Sequence, residues 1–164
     1  MSSHTSRSTS ELSAAERAFY SRQLILPEMG YEAQLALKRA RVVVLGAGGL
    51  GAPALLYLAG AGVGQIVVVD DDVVDASNLH RQVIHTHARV GNSKADSAAE
   101  SLRSLNPFIE VVPVRERLTE ANVDDLLSGA DLVLDGSDNF ESRYMVSAAA
   151  ARAGIAHVWA AILG

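Results

Sequence analysis

The chain has 164 residues, 49% hydrophobic and 20% charged, with a formal net charge of −5 and no cysteine. That length suits one globular domain with a sizeable core, the acidic balance excludes the basic stripe of a nucleic-acid-binding surface, and the missing thiols exclude disulfides, a cysteine nucleophile and thiolate zinc within these residues. No apolar run reaches the roughly 20 residues of a membrane span, and Met1 to Ala14 lacks the apolar core of a signal peptide, so a cytoplasmic protein with no nucleic-acid or membrane partner is expected.

Residues 1–12 carry too little apolar surface to offset the entropy of ordering and are expected to be disordered. A helical arm is expected over 13–40. Ser13-Ala14-Ala15-Glu16 has the spacing of a capping box, which starts a helix at Ala14 running to about Leu24 and carrying Arg22. Pro27 and Gly30 interrupt the pattern, and Glu32 to Ala40 forms a second short helix.

From residue 41 to 164 the pattern is that of an α/β unit. Val42 to Leu45 is a continuous apolar run, as in a parallel strand buried on both faces. It enters a turn in which Gly46, Gly48 and Gly51 fall at G-x-G-x-x-G spacing, with Gly49 inside it. The alanine- and leucine-rich helix Ala52 to Ala61 follows, so its first N–H groups point at any anion above the glycines. Gln65 to Asp70 is a second buried strand ending in an acid, about 20 residues beyond the last glycine. Asp71 to Asn92 is a long connection centred on S-N-L-H-R-Q. Asn92 or Ser93 caps a helix to about Leu105, and Ile109 to Val114 is a strand that Pro113 confines to an edge or an end. Glu120 to Leu127 is a short helix, and Ala130 to Leu134 a buried strand opening onto Asp135-Gly136-Ser137-Asp138-Asn139. An alanine-rich helix to Gly154 and a strand from Ile155 to Leu163 complete the series. This alternation predicts a Rossmann-like, doubly wound, mostly parallel sheet with helices on both faces.

Ligands of such sheets sit outside the carboxyl ends of the strands, where the informative polar residues collect. Asp70 suits ribose hydroxyls, or is the first of three solvated loop acids with Asp71 and Asp72, and Asp72 is itself a candidate nucleotide-binding residue or such a loop acid. Asn78 and Arg81 supply amide and guanidinium donors suited to phosphate oxygens, or are loop surface. Lys94 falls in the first turn of its helix, where the macrodipole disfavours a cation, and so invites an anionic ligand. Asp138 is an N-cap or a magnesium ligand beside a polyphosphate. Both Lys94 and Asp138 are expected to be exposed at element ends. His80, His85 and His87 lack a cysteine or carboxylate at zinc-ligand spacing. NAD, FAD and ATP all remain open on this reading.

Tyr20-Ser21-Arg22-Gln23, the loop Gly46 to Gly51, Asp70-x-Asp72 with Asn78-Leu79-His80-Arg81-Gln82, Lys94, and Asp135 to Asn139 together resemble the MoeB/ThiF adenylyltransferases, prokaryotic relatives of ubiquitin-activating enzymes. The resemblance runs from Tyr20 to the chain end. It implies binding of ATP and Mg²⁺ and adenylation of the C-terminal glycine of a ubiquitin-like sulfur-carrier protein. It also implies roles for Asp70 at the ribose, for Asn78, Arg81 and Lys94 at the phosphates, for Asp138 at Mg²⁺, and for Arg22 in the neighbouring site of a homodimer. Family members carry zinc-binding cysteine pairs and often a transfer cysteine further along. Without them, and with an apolar strand running up to Gly164, the sequence resembles the N-terminal, nucleotide-binding part, zinc being expected only elsewhere in the family fold. Two other readings are an NAD-dependent oxidoreductase and a non-catalytic dimer partner.

Overall fold

The computed structural model describes residues 11–137 and 140–161. Five strands, β1 (Arg41–Leu45), β2 (Gln65–Val69), β3 (Glu110–Val114), β4 (Leu132–Asp135) and β5 (Ala156–Trp159), form one sheet in the order β3-β2-β1-β4-β5. Every pairing is parallel, which sharpens the expected mostly parallel sheet. Among the described residues seven α-helices connect and flank them: α1 (Ala14–Phe19), α2 (Ser21–Leu24), α3 (Gly30–Arg39), α4 (Gly51–Ala61), α5 (Lys94–Leu105), α6 (Val123–Leu127) and α7 (Phe140–Ala153).

Successive side chains of a strand point to opposite faces, and both faces here are covered. Val42 and Val44 join Ile66, Val68 and Val111 under α4 and α5, which contribute Leu55, Ala98 and Leu102. Val43 and Leu45 join Val67, Val69 and Val133 under α6 and α7, which contribute Leu127, Val146 and Ala150. That double burial explains the unbroken apolar run of β1. Pro113 lies on the edge strand β3, opposite Val68, so its missing N–H interrupts no central ladder. The sheet grows outward from β1 to β3 and returns to the other side of β1, placing a topological switch point between β1 and β4.

The arm is anchored at one end of α4. The capping box forms in full, Glu16 N donating to Ser13 Oγ at 3.1 Å and Ser13 N to Glu16 Oε2 at 2.8 Å. Burial raises the Glu16 pKa, but the hydrogen bonds of Lys38 and Ser13 outweigh it and hold the carboxyl below its ordinary value. The helix expected to run unbroken to Leu24 divides at Tyr20, whose φ of −90° and ψ of 12° leave the helical range. Its ring is buried, edge-on to Phe19, and its hydroxyl accepts from Asn106 Nδ2 at 2.8 Å. The last carbonyls of α4 would otherwise lack donors. Asn106 Nδ2 donates to Ala59 O, Gln23 Nε2 to Gly60 O and Gln34 Nε2 to Ala61 O.

Other boundaries move by a few residues. The second arm helix begins at Gly30, whose φ of 63° costs a glycine nothing. β2 ends at Val69, leaving Asp70 just beyond it, while β4 starts at Leu132 and α6 at Val123. β5 covers Ala156–Trp159, and residues 162–164 lie outside the described residues. The connection from 71 to 92 is held by the bridge Val73 to Ser93 and by bonds from Val74 N to Asn92 O and Gly91 N to Val74 O, both 2.8 Å. Among the described residues no helix is long and apolar enough to cross a membrane.

Candidate nucleotide site

A cleft of about 670 Å³ opens over the carboxyl ends of β1, β2 and β4, within the range of small-molecule sites. Its floor is the glycine turn. Gly46 has a φ of 86°, and a Cβ there would come within 3.3 Å of the Gly136 carbonyl at the end of β4. A Cβ at Gly51 would overlap the Gly46 carbonyl, so the start of α4 sits against the end of β1 only because both residues are glycine. Gly48 and Gly49 face the side chains of Gln82 and Arg81, at 3.6 and 3.8 Å from an ideal Cβ. α4 has no side-chain N-cap; Ala52 N donates to Gly48 O at 2.8 Å and Pro53 has no N–H, so the backbone donors offered to an anion in the cleft are those ahead of Ala52.

Asp70 leaves β2 at the opposite wall. Its Oδ2 accepts from Ala47 N at 2.7 Å and its Oδ1 from Asp72 N at 2.9 Å, so it stitches the glycine turn to the β2 end. Each oxygen keeps an accepting lone pair. Asp70 therefore has a structural duty that the sequence did not indicate, beside its capacity for hydroxyl groups.

Lys94 departs from expectation. Rather than exposed, it is only 7% accessible, and its Nζ donates to Asp72 Oδ2 at 2.9 Å. Asp72, whose side chain is 69% accessible, is thus the counter-ion of Lys94 and also lines the cleft. The pair forms because Val73 bridges to Ser93 and Lys94 N donates to Asp72 O at 2.9 Å. A carboxylate at the first turn of α5 offsets part of the macrodipole's disfavour for the cation. An ammonium has three donors, and two stay available at the cleft wall.

Asn78, Arg81 and Gln82 come together, but not as parallel donors. Asn78 Oδ1 accepts from Arg81 Nη2 at 2.9 Å and from Gln82 Nε2 at 3.2 Å. Asn78 consequently orients the guanidinium over Gly49, and only its Nδ2, 3.4 Å from Ser77 Oγ, is left to meet a ligand. Gln82 was passed over as a site residue. It lines the cleft, is 4% accessible, and its Oε1 is buried without a hydrogen-bond partner. Across the cleft stands Arg143 of α7, its guanidinium carbon 4.4 Å over the Trp159 ring, which an alanine-rich helix gave no reason to single out.

The three histidines do not assemble. His85 is buried while His80 and His87 are exposed, and among the described residues no three His, Cys, Asp or Glu side chains form a metal cluster. Burial holds the His85 imidazole below its ordinary pKa; Lys94 and Arg89 add to the effect, and the Ala47 hydrogen bond and Asp70 oppose it. Arg22 is exposed on α2, beside Gln23 at the C-terminal end of α4, and is not brought to the cleft of its own chain. The 11 residues of α4 separate that end from the glycine turn by about 16 Å. Asp138 lies outside the described residues.

Comparison with known proteins agrees with this architecture. The chain is 57% identical over 153 residues to a Mycobacterium tuberculosis protein named probable adenylyltransferase/sulfurtransferase MoeZ, covering 93% of this chain and 39% of that protein. It is 52% identical over 139 residues to the SAMP-activating enzyme E1 of Haloferax volcanii, covering 85% of this chain and 52% of the other. The chain thus spans about half or less of the length of these relatives. The structure of E. coli tRNA N6-threonylcarbamoyladenosine dehydratase, TcdA, in complex with ATP superposes with a TM-score of 0.86 at 30% identity, over 92% of this chain and 61% of that one. The ThiF family model matches residues 20–164, and with the doubly wound sheet and the glycine turn in place, this chain belongs to the ThiF family.

Proposed function

We propose that this chain binds ATP with Mg²⁺ and carries the adenylation of the C-terminal glycine carboxylate of a ubiquitin-like sulfur-carrier protein. The observation that carries the reading is the convergence of the glycine turn, Arg81 and Lys94 on one cleft, with the Asp70 carboxylate at its other wall. The donor set fits a nucleotide's phosphates: backbone N–H groups at the start of α4 and two cations held at the cleft by Asn78 and Asp72. The names of the relatives point the same way, as adenylyltransferase and as activating enzyme.

In this reading Asp70 accepts from the ribose hydroxyls through its remaining lone pairs, while the start of α4, Arg81 and Lys94 hold the phosphates. Asp138 is the carboxylate assigned to Mg²⁺, on sequence grounds alone. ATP supplies the electrophilic α-phosphorus and pyrophosphate as the leaving group. The carrier's carboxylate is ionised near neutral pH and attacks without a general base. What remains for the protein is to position the two reactants and to offset charge on the α-phosphate and the departing pyrophosphate. Arg22, exposed beside Gln23 at the far end of α4, acts in this scheme in the cleft of a second copy, in a homodimer.

Calorimetry on this chain is expected to give binding of ATP·Mg²⁺ and none of NAD. The full-length protein is expected to exchange pyrophosphate into ATP only with its carrier present. Binding of NAD without ATP would transfer the cleft to a dinucleotide enzyme and overturn the proposal.

A further inference from the structure

We infer that His85 is a positioning residue for the phosphate-binding turn, a clamp that aims the Gly48 N–H into the cleft. His85 sits seven residues past Asn78, on the loop beneath the glycine turn, and is 5% accessible. Its Nε2 lies 3.0 Å from Ala47 O, and its Nδ1 lies 2.9 Å from Ser97 Oγ on α5. A carbonyl only accepts, so Nε2 carries the proton and Nδ1 accepts from the Ser97 hydroxyl. The ring therefore ties the turn to α5 in a single tautomer.

The consequence follows from the planarity of the peptide bond. In a trans peptide the C=O and N–H point in opposite directions. With the Ala47 carbonyl turned down to His85, the Gly48 N–H of the same peptide is directed to the opposite side, and Gly48 lines the cleft. The preceding peptide is fixed as well, because Ala47 N donates to Asp70 Oδ2 at 2.7 Å. Two consecutive peptides are thus held, one by an imidazole and one by a carboxylate. Gly48 itself has no side chain to restrain them, so the clamp supplies what the glycine lacks. A donor whose direction is set before the anion arrives costs no reorganisation when it binds.

The inference rests on the reading of the cleft as a polyphosphate site. His85→Phe keeps a ring of similar size but offers Ala47 no donor. It is expected to weaken ATP·Mg²⁺ binding about tenfold, the share of one well-placed hydrogen bond, and to weaken adenosine binding by less than about twofold, because adenosine has no phosphate for the Gly48 N–H to meet. His85→Gln can place an N–H near the Nε2 position and is expected to restore ATP affinity to within about twofold. Should the Phe variant not fold, His85→Asn, too short to reach the Ala47 carbonyl, takes its place with the same expected loss. Equal losses for ATP and adenosine, or no loss at all, would overturn the clamp and leave His85 as core filling. Nitrogen-15 shifts of the ring in the wild-type chain are expected to show protonation at Nε2, and protonation at Nδ1 overturns the inference even if the wild type binds no nucleotide. Failure of the wild type to bind ATP, with the Nε2 tautomer present, would instead remove the nucleotide reading and keep the loop geometry.

Discussion

Lys94→Ala in the full-length protein is expected to cut carrier-dependent ATP–pyrophosphate exchange by about 10²-fold or more, the order lost when one preorganised donor is taken from a developing charge. Its ammonium is almost fully buried at the cleft wall, where a charge interacts more strongly than in bulk water. The fold is expected to survive the change. Removing one member of a buried ion pair is costly when it strands the other in the interior. Here the partner left behind is Asp72, 69% accessible and able to take up water. Circular dichroism and the thermal midpoint check that half of the expectation, and the exchange rate checks the other. Exchange at the wild-type rate in a folded Lys94→Ala protein would remove Lys94 from the reaction.

Arg22→Ala and Lys94→Ala homodimers are each expected to be nearly inactive, yet to regain activity when mixed. Arg22 stands at the C-terminal end of α4, whereas Lys94 faces the glycine turn at the other end of the same helix. A single chain therefore does not unite them, and a two-fold dimer that exchanges the arm's reach would give each cleft one residue from each copy. In a mixed dimer of the two variants, one cleft has both residues intact and the other has neither. Random pairing makes half the dimers mixed, each with one good cleft, so about a quarter of wild-type activity should return. Co-refolded proteins whose heterodimers are demonstrated by native mass spectrometry, yet whose exchange stays at the homodimer level, would show Arg22 to act within its own chain.

What the sequence displayed well was local. The capping box pairs residues three apart, the glycine turn lies within six residues, and Asp70 follows from the second strand, so each could be read without knowing the fold. What it concealed depends on partners distant along the chain. The helix divides at Tyr20, whose hydroxyl accepts from Asn106 Nδ2, 86 residues away. Lys94 is buried because Asp72, 22 residues earlier, returns beside it through the Val73 to Ser93 bridge. Asn78 offered donor and acceptor alike in sequence, and the choice between them was made by Arg81 and Gln82. His85 had no legible role in the sequence because its partners, Ala47 and Ser97, lie 38 and 12 residues away. Arg22 was legible as a motif, and its distance from the cleft of its own chain was not.

The strand order also bears on how the chain reaches its native state. β1 and β2 pair Arg41 with Gln65, and β2 meets β3 across 45 residues, at Gln65 and Glu110. The seam between β1 and β4 closes over 90 residues, from Arg41 to Asp131. Loop-closure entropy grows with that separation, and long-range parallel pairing slows folding. The β3-β2-β1 half is therefore expected to form first and β4-β5 to dock later, with pulse-labelled hydrogen exchange showing β2 amides protected before those of β4. The crevice at the switch point is completed by that late seam, so nucleotide can stabilise the finished sheet but cannot template its early assembly.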